Sequence, residues 1–201
     1  MSDTILVTGF GEFGVHKRNA SWEAVKLLPD SIDGISIVKK EIPVVYNVVD
    51  SVVPALWKEL KPLLVIHVGV SSYASKLTIE KCAYRTGYVK CDAQGNTHCS
   101  GQSKCSNEDC IYTAIDTEAI CEHLNNTGNV KFCTSCNAGR YLCEYIYYMS
   151  LSIDKRKCLF VHVPPINEPY STEEMAKALE DLIKCCVKCQ YQELENVCST
   201  L

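Results

Sequence analysis

With 201 residues, 47% of them apolar, the chain is long enough to bury a sizeable core as one α/β domain spanning 1–201. Its net charge of −4 supplies no basic field for nucleic acid or an anionic membrane, and no apolar run approaches the roughly 20 residues that cross a bilayer. The opening MSDTILVTGF lacks the basic and long apolar regions of a signal peptide, so a cytoplasmic protein is expected. Most of the 14 cysteines then read as free thiols rather than staples.

Ile5 to Thr8 reads as a short buried strand, followed by a helix from about Ser21 and a second strand around Ile35 to Glu41. YNVVDSVVPALWKEL spaces apolar residues at three and four, which predicts a helix that Pro54 either starts or kinks. LLVIHVGV, Leu63 to Val70, is β-branched and predicts a central strand; Leu77 to Cys82 predicts a short one. Residues 91–111 are polar and aperiodic, a cysteine-rich surface loop. TEAICEHLNNTG predicts a helix from Thr117 to a stop at Gly128, VKFCTS a strand, and NAGRYLCEYIYYMSL a turn running into a helix. CLFVHVPP is a strand closed by prolines, and Ser171 with Glu174 has capping-box spacing at the start of a last helix. Strands alternating with helices predict a mostly parallel central sheet in a three-layer α/β/α sandwich.

GFGEFG satisfies the glycine spacing of a dinucleotide-binding turn, but such a site needs its helix to begin within the turn. Here VHKRNAS follows Gly14, with Asn19 or Ser21 as the expected cap. The glycines Gly9, Gly11 and Gly14 are therefore read as shaping a loop that projects Phe10 and Phe13, with both rings as core filler the bland alternative.

Cys143 differs in setting from the other thiols. A strand, a small-residue turn and a helix start put it in or near a first helical turn with Arg140 close by; both features favour thiolate, and the free N–H groups of that turn suit an oxyanion. His162, near the end of a strand, is the candidate base. Against it, His16 and His98 lie in loops, His123 on a helix surface and His67 mid-strand. Glu80 interrupts an apolar run and is the candidate to orient an imidazole, or else an edge-strand charge facing water.

VTGFGEFG with NASW, ALWKELKPLLVIHVGVS, LTIEKC, NAGRYLCEYIYYMSL and FVHVPP followed by PYS stand in this order across nearly the whole chain. Together they resemble the pyroglutamyl-peptidase I family of cysteine peptidases, with the likeness strongest to animal cytosolic forms. The resemblance implies an α/β/α sandwich that removes an N-terminal pyroglutamyl residue from small peptides, without metal or organic cofactor. It implies Cys143 as nucleophile, His162 as base and then acid, and Glu80 as the residue orienting it. It also implies Phe10 and Phe13 around the pyrrolidone ring and Tyr141 and Leu142 lining the same pocket. Two departures stand out. Val70 occupies the position where bacterial members often carry a glutamine that contacts the lactam. Glu144 stands where they tend to have asparagine, and an added carboxylate beside a thiolate is expected to raise its pKa.

Two rival readings remain. Cys91, Cys99, Cys105 and Cys110 with His98 crowd one loop, but gaps of seven, five and four residues lack the paired knuckles of structural zinc. The other is a catalytically silent binder of pyroglutamyl peptide termini.

Overall fold

The computed structural model describes residues 3–13, 18–98 and 100–198. Gly14, His16 and Cys99 therefore lie outside the described residues. In chain order the elements are β1 (Thr4–Phe10), α1 (Ala20–Lys26), β2 (Ser31–Ile32), β3 (Ile35–Ile42), α2 (Tyr46–Leu60), β4 (Leu64–Val70), β5 (Leu77–Glu80), β6 (Cys82–Tyr84), β7 (Cys110–Tyr112), α3 (Thr117–Thr127), β8 (Phe132–Ser135), α4 (Leu142–Asp154), β9 (Cys158–Val163) and α5 (Thr172–Cys198).

Seven strands form one sheet in the order β2-β3-β1-β4-β9-β5-β8. The β1–β3, β1–β4, β4–β9 and β5–β8 pairs are parallel, while β2–β3 and β5–β9 are antiparallel. The expected sandwich with a mostly parallel sheet is what forms. The antiparallel β5–β9 pairing and the separate β6–β7 ribbon are additions that the sequence pattern does not predict. Pro54 lies inside α2 rather than at its start. Among its described residues the long polar stretch holds no helix or strand until Cys110 opens β7.

Side-chain parity sorts the two cores, because successive strand residues point to opposite faces. Ile5 and Val7 of β1, Ile66 and Val68 of β4, and Leu159 and Val161 of β9 pack with α1, α3 and α5. Leu6, Val65 and Phe160 face the other way, onto α2 and α4. Each such side chain contributes roughly 1.5–3 kcal/mol when fully buried, so both helical layers are held by the same strands.

Local signals close the elements. Asn19 caps α1 by accepting the Ser21 N–H at 3.1 Å, and its amide donates to the Gly11 carbonyl at 2.9 Å. Gly9 has a specific task, since a Cβ there would sit 2.7 Å from Trp22 Cα and 2.8 Å from Trp22 N. The absence of a side chain lets α1 press directly on the end of β1. At the head of α5 the Ser171 N–H donates to Glu174 Oε2 at 2.8 Å, and the Glu174 N–H donates to Ser171 Oγ at 3.1 Å. That is the reciprocal box its spacing predicts.

Candidate active site

Parity also assembles the site. Thr78 and Glu80 lie on the face of β5 opposite Leu77 and Ile79, and His162 shares the α4-facing side of β9 with Phe160. Thr78 pairs with His162 in the antiparallel ladder and Glu80 with Phe160, so Glu80 and His162 are diagonal neighbours. A long carboxylate side chain spans such a diagonal. His162 Nδ1 accordingly meets Glu80 Oε1 at 2.8 Å. The other nitrogen is left for Cys143, the second residue of α4, which lines the same cleft as His162.

Burial works against a charge on His162, but hydrogen bonds to Cys143 and Glu80, and attraction to both, outweigh it and raise the pKa to about 10. The arrangement thus favours an imidazolium at His162. A pKa raised above its unfolded value means that this contribution to stability is complete below the ordinary histidine range and is lost as pH rises through about 10. Glu80→Gln removes one of the two anions, so the His162 titration is expected to move down by at least about one unit, ~1.4 kcal/mol. Proton NMR of the imidazole ring measures this directly, and an unmoved titration would mean the carboxylate does not hold the ring's charge. The remaining Glu80 oxygen, Oε2, is buried without a hydrogen-bond partner. Such unsatisfied groups are uncommon in protein interiors.

Gly69 is a site residue that sequence reasoning missed. A Cβ at this position would lie 2.7 Å from Cys143 Sγ and 2.8 Å from Phe160 Cζ. Phe160 in turn packs its ring 4.8 Å from that of His162. A glycine inside the β-branched run LLVIHVGV was the available signal, since glycine in a strand marks close approach by another group. Gly69→Ala is expected to displace the sulfur from the imidazole and cut kcat/KM roughly 10²-fold, the usual cost of an ångström-scale misplacement. Steady-state kinetics with unchanged thermal stability would separate this displacement from general unfolding.

A cleft of about 490 Å³ opens over the trio, with residues 71–74 on one rim and Asn137, Ala138 and Gly139 on the other. A second hollow of about 520 Å³ shares Val70 and Ser72 with it and carries Phe13, Pro165 and Ile166. Phe13 is 38% exposed and its ring centroid lies 5.7 Å from that of Tyr141, which lines the first cleft. Tyr141 is held in place by donating its hydroxyl to the Cys91 carbonyl at 2.9 Å. Phe10 and Leu142 sit elsewhere, 3% and 1% exposed in the α2–α4 core, and line neither hollow. Phe10 has the parity of Leu6 and points inward, whereas Phe13 lies beyond the strand. The two rings thus divide between the alternatives that the sequence left open.

Arg140 and Glu144, expected to act on the thiol in opposite senses, pair with each other. The Arg140 guanidinium meets both Glu144 oxygens, at 2.7 and 2.8 Å, and lies 3.9 Å over the Tyr84 ring. Glu144 also accepts the backbone N–H groups of Arg140 at 2.6 Å and Tyr84 at 3.0 Å. Each charge is thus occupied by the other.

The remaining described histidines lie apart from the trio. His67 is fully buried between the Thr8 and Ser150 hydroxyls, both at 2.7 Å, and burial pushes its pKa down to about 3. His98 meets the Tyr145 hydroxyl at 3.0 Å, and His123 is exposed on α3. Among the described residues no group of three or more His, Cys, Asp or Glu side chains is arranged to hold a metal ion.

The pyroglutamyl peptidase family profile matches residues 3–189. Rat pyroglutamyl-peptidase 1 is 42% identical over 189 residues, covering 90% of this chain and 88% of the rat protein. The pyrrolidone-carboxylate peptidase of Thermococcus onnurineus is 30% identical over 198 residues, covering 92% of this chain and 98% of its own. The crystal structure of pyroglutamyl peptidase I from Bacillus amyloliquefaciens superposes with a TM-score of 0.79 at 26% identity, covering 90% of this chain and 95% of that one. A family profile over nearly the whole chain and 42% identity to the rat enzyme agree: this chain belongs to the pyroglutamyl peptidase family of cysteine peptidases.

Proposed function

We propose that this chain hydrolyses the bond after an N-terminal pyroglutamyl residue of small peptides, with Cys143 as nucleophile, His162 as proton carrier and Glu80 as the group orienting His162. The observation carrying this reading is the His162 imidazole, which meets Glu80 at 2.8 Å and lines one open cleft together with Cys143.

The Cys143 thiolate attacks the pyroglutamyl carbonyl carbon, forming a C–S bond while the carbonyl electrons move to oxygen. N–H groups in the first turn of α4, which have no acceptor a turn earlier, hold the developing oxyanion. The His162 imidazolium gives its proton to the departing amine as the C–N bond breaks. The neutral ring then takes a proton from water, whose oxygen attacks the thioester and releases pyroglutamate and free thiol. Every step uses the chain's own side chains and backbone N–H groups, with water.

The substrate ring is a compact uncharged lactam, and it suits the Phe13 and Tyr141 rings beside Val70. Phe10 and Leu142 support that wall from the core. Cys121, Cys158 and Cys186 pack as small buried hydrophobes, which fits a reducing compartment and a cytoplasmic setting. Among the described residues no helix is long and apolar enough to cross a membrane.

Release of p-nitroaniline from pyroglutamyl p-nitroanilide, compared with prolyl p-nitroanilide, tests the reading. The first should be cleaved and the second, with a charged ring nitrogen and no lactam oxygen, should not. Binding without turnover, or equal turnover of both, would overturn it.

A further inference from the structure

Away from the catalytic thiol, three other cysteines meet beneath the turn that leads into α4. Cys82, fully buried at the start of β6, is a diagonal neighbour of Cys110 on β7 and lies beside Cys136, the residue after β8. Its Sγ also lies 3.7 Å from the Cys136 carbonyl oxygen. The backbone dictates this meeting: Glu80 pairs with Ser135 at the end of the parallel β5–β8 ladder, and the Lys81 N–H donates to the Ser135 carbonyl at 2.7 Å. Cys136 follows Ser135 directly, and Cys82 follows Lys81.

The two thiols differ in character. Cys136 is half-buried and stands where a small oxidant can reach it. Cys82 is enclosed, and burial pushes its thiol up to about 12. An accessible outer sulfur over an enclosed inner one suits an attacking and a resolving cysteine.

We propose that Cys136 and Cys82 form an oxidisable pair that a hydroperoxide converts to a disulfide across the β8–α4 turn. The Cys136 thiolate attacks the outer oxygen of the hydroperoxide, the O–O bond breaks, and the alkoxide leaves with a proton as alcohol. The Cys136 sulfenic acid is then attacked by the Cys82 sulfur. The S–O bond breaks, and water departs with the Cys82 proton. Two thiols are oxidised and one hydroperoxide is reduced.

Cys110 is the competing partner, and sheet geometry disfavours it. In the β6–β7 ribbon Cys82 pairs with Tyr112 and Tyr84 with Cys110, making Cys82 and Cys110 diagonal neighbours. Diagonal Cβ atoms stand somewhat under about 7–8 Å apart. A disulfide holds them at about 4 Å. Cys136 belongs to no strand and precedes Gly139 and Arg140, whose φ angles of 97° and 53° mark a turn rather than a rigid ladder. Because Asn137, Ala138 and Gly139 line the catalytic cleft, the bond pins one wall of that cleft.

The test uses the full chain carrying Cys143→Ser, which keeps the catalytic sulfur out of the chemistry and makes the result independent of the peptidase reading. Hydrogen peroxide treatment followed by non-reducing peptide mass mapping should yield a peptide linking Cys82 to Cys136, reversed by dithiothreitol. Amide exchange across 136–140 should slow on oxidation. Adding Cys136→Ser should abolish the link, and adding Cys110→Ser should leave it. Oxidation of Cys136 to sulfinic acid without a link, or a Cys82–Cys110 link in place of the Cys136 one, would overturn the proposal.

Discussion

Replacing Cys143 with serine is expected to lower kcat/KM for pyroglutamyl p-nitroanilide by roughly 10⁴-fold or more, about 5 kcal/mol of transition-state stabilisation. The loss has two sources. A hydroxyl ionises far above the thiol range, so the nucleophile is no longer the anion that the helix start favours. In addition, His162 loses one of the two partners that raise its pKa, and the ring reverts toward the neutral form through the middle of the pH range. The pocket is unaffected by this change, since Phe13, Tyr141 and Val70 do not depend on the sulfur for their positions. Affinity for a pyroglutamyl peptide should therefore persist while turnover disappears, and calorimetric binding beside steady-state kinetics reads both. Activity within about tenfold of the parent would assign the chemistry to another group.

Much of this site was legible before any coordinates because its parts announce themselves locally. A thiol after a small-residue turn, a histidine at a strand end and a carboxylate breaking an apolar run each violate the pattern around them. Their meeting was not legible, because it depends on pairings distant in sequence. His162 reaches Glu80 through the antiparallel β5–β9 register, and β-branched runs do not encode strand direction. The same limit hid the β6–β7 ribbon, whose partners are separated by the polar loop. Helix ends fared better, as Asn19, Gly128 and the Ser171–Glu174 box act within a single turn. Substrate-wall residues divided by parity: Phe10 falls inside β1 and turns to the core, while Phe13 escapes the strand and stays half-exposed.

Glu144→Ala is expected to be the most destabilising single change near the site, by roughly 3–5 kcal/mol, the scale on which a buried ion pair broken from one side destabilises. Glu144 is fully buried, so its removal opens a void and strands the N–H groups of Tyr84 and Arg140, each costing about 1–3 kcal/mol if left unpaired. The Arg140 guanidinium is partly exposed and regains some hydration, which keeps the total below the sum of the parts. At this chain length about 1 kcal/mol corresponds to roughly 2–4 °C, so Tm should fall on the order of 10 °C. Glu144→Gln retains one oxygen as acceptor but presents an amide group to the guanidinium, and should lose about half as much. The pair also sets an electrostatic test. If Glu144 serves to clamp the turn that carries Asn137 to Gly139, the Gln variant should lower kcat while leaving the acid limb of its pH profile where it was. A downward shift of that limb on loss of the carboxylate would mean that Glu144 does raise the pKa of the Cys143 thiol, against the closed pairing with Arg140.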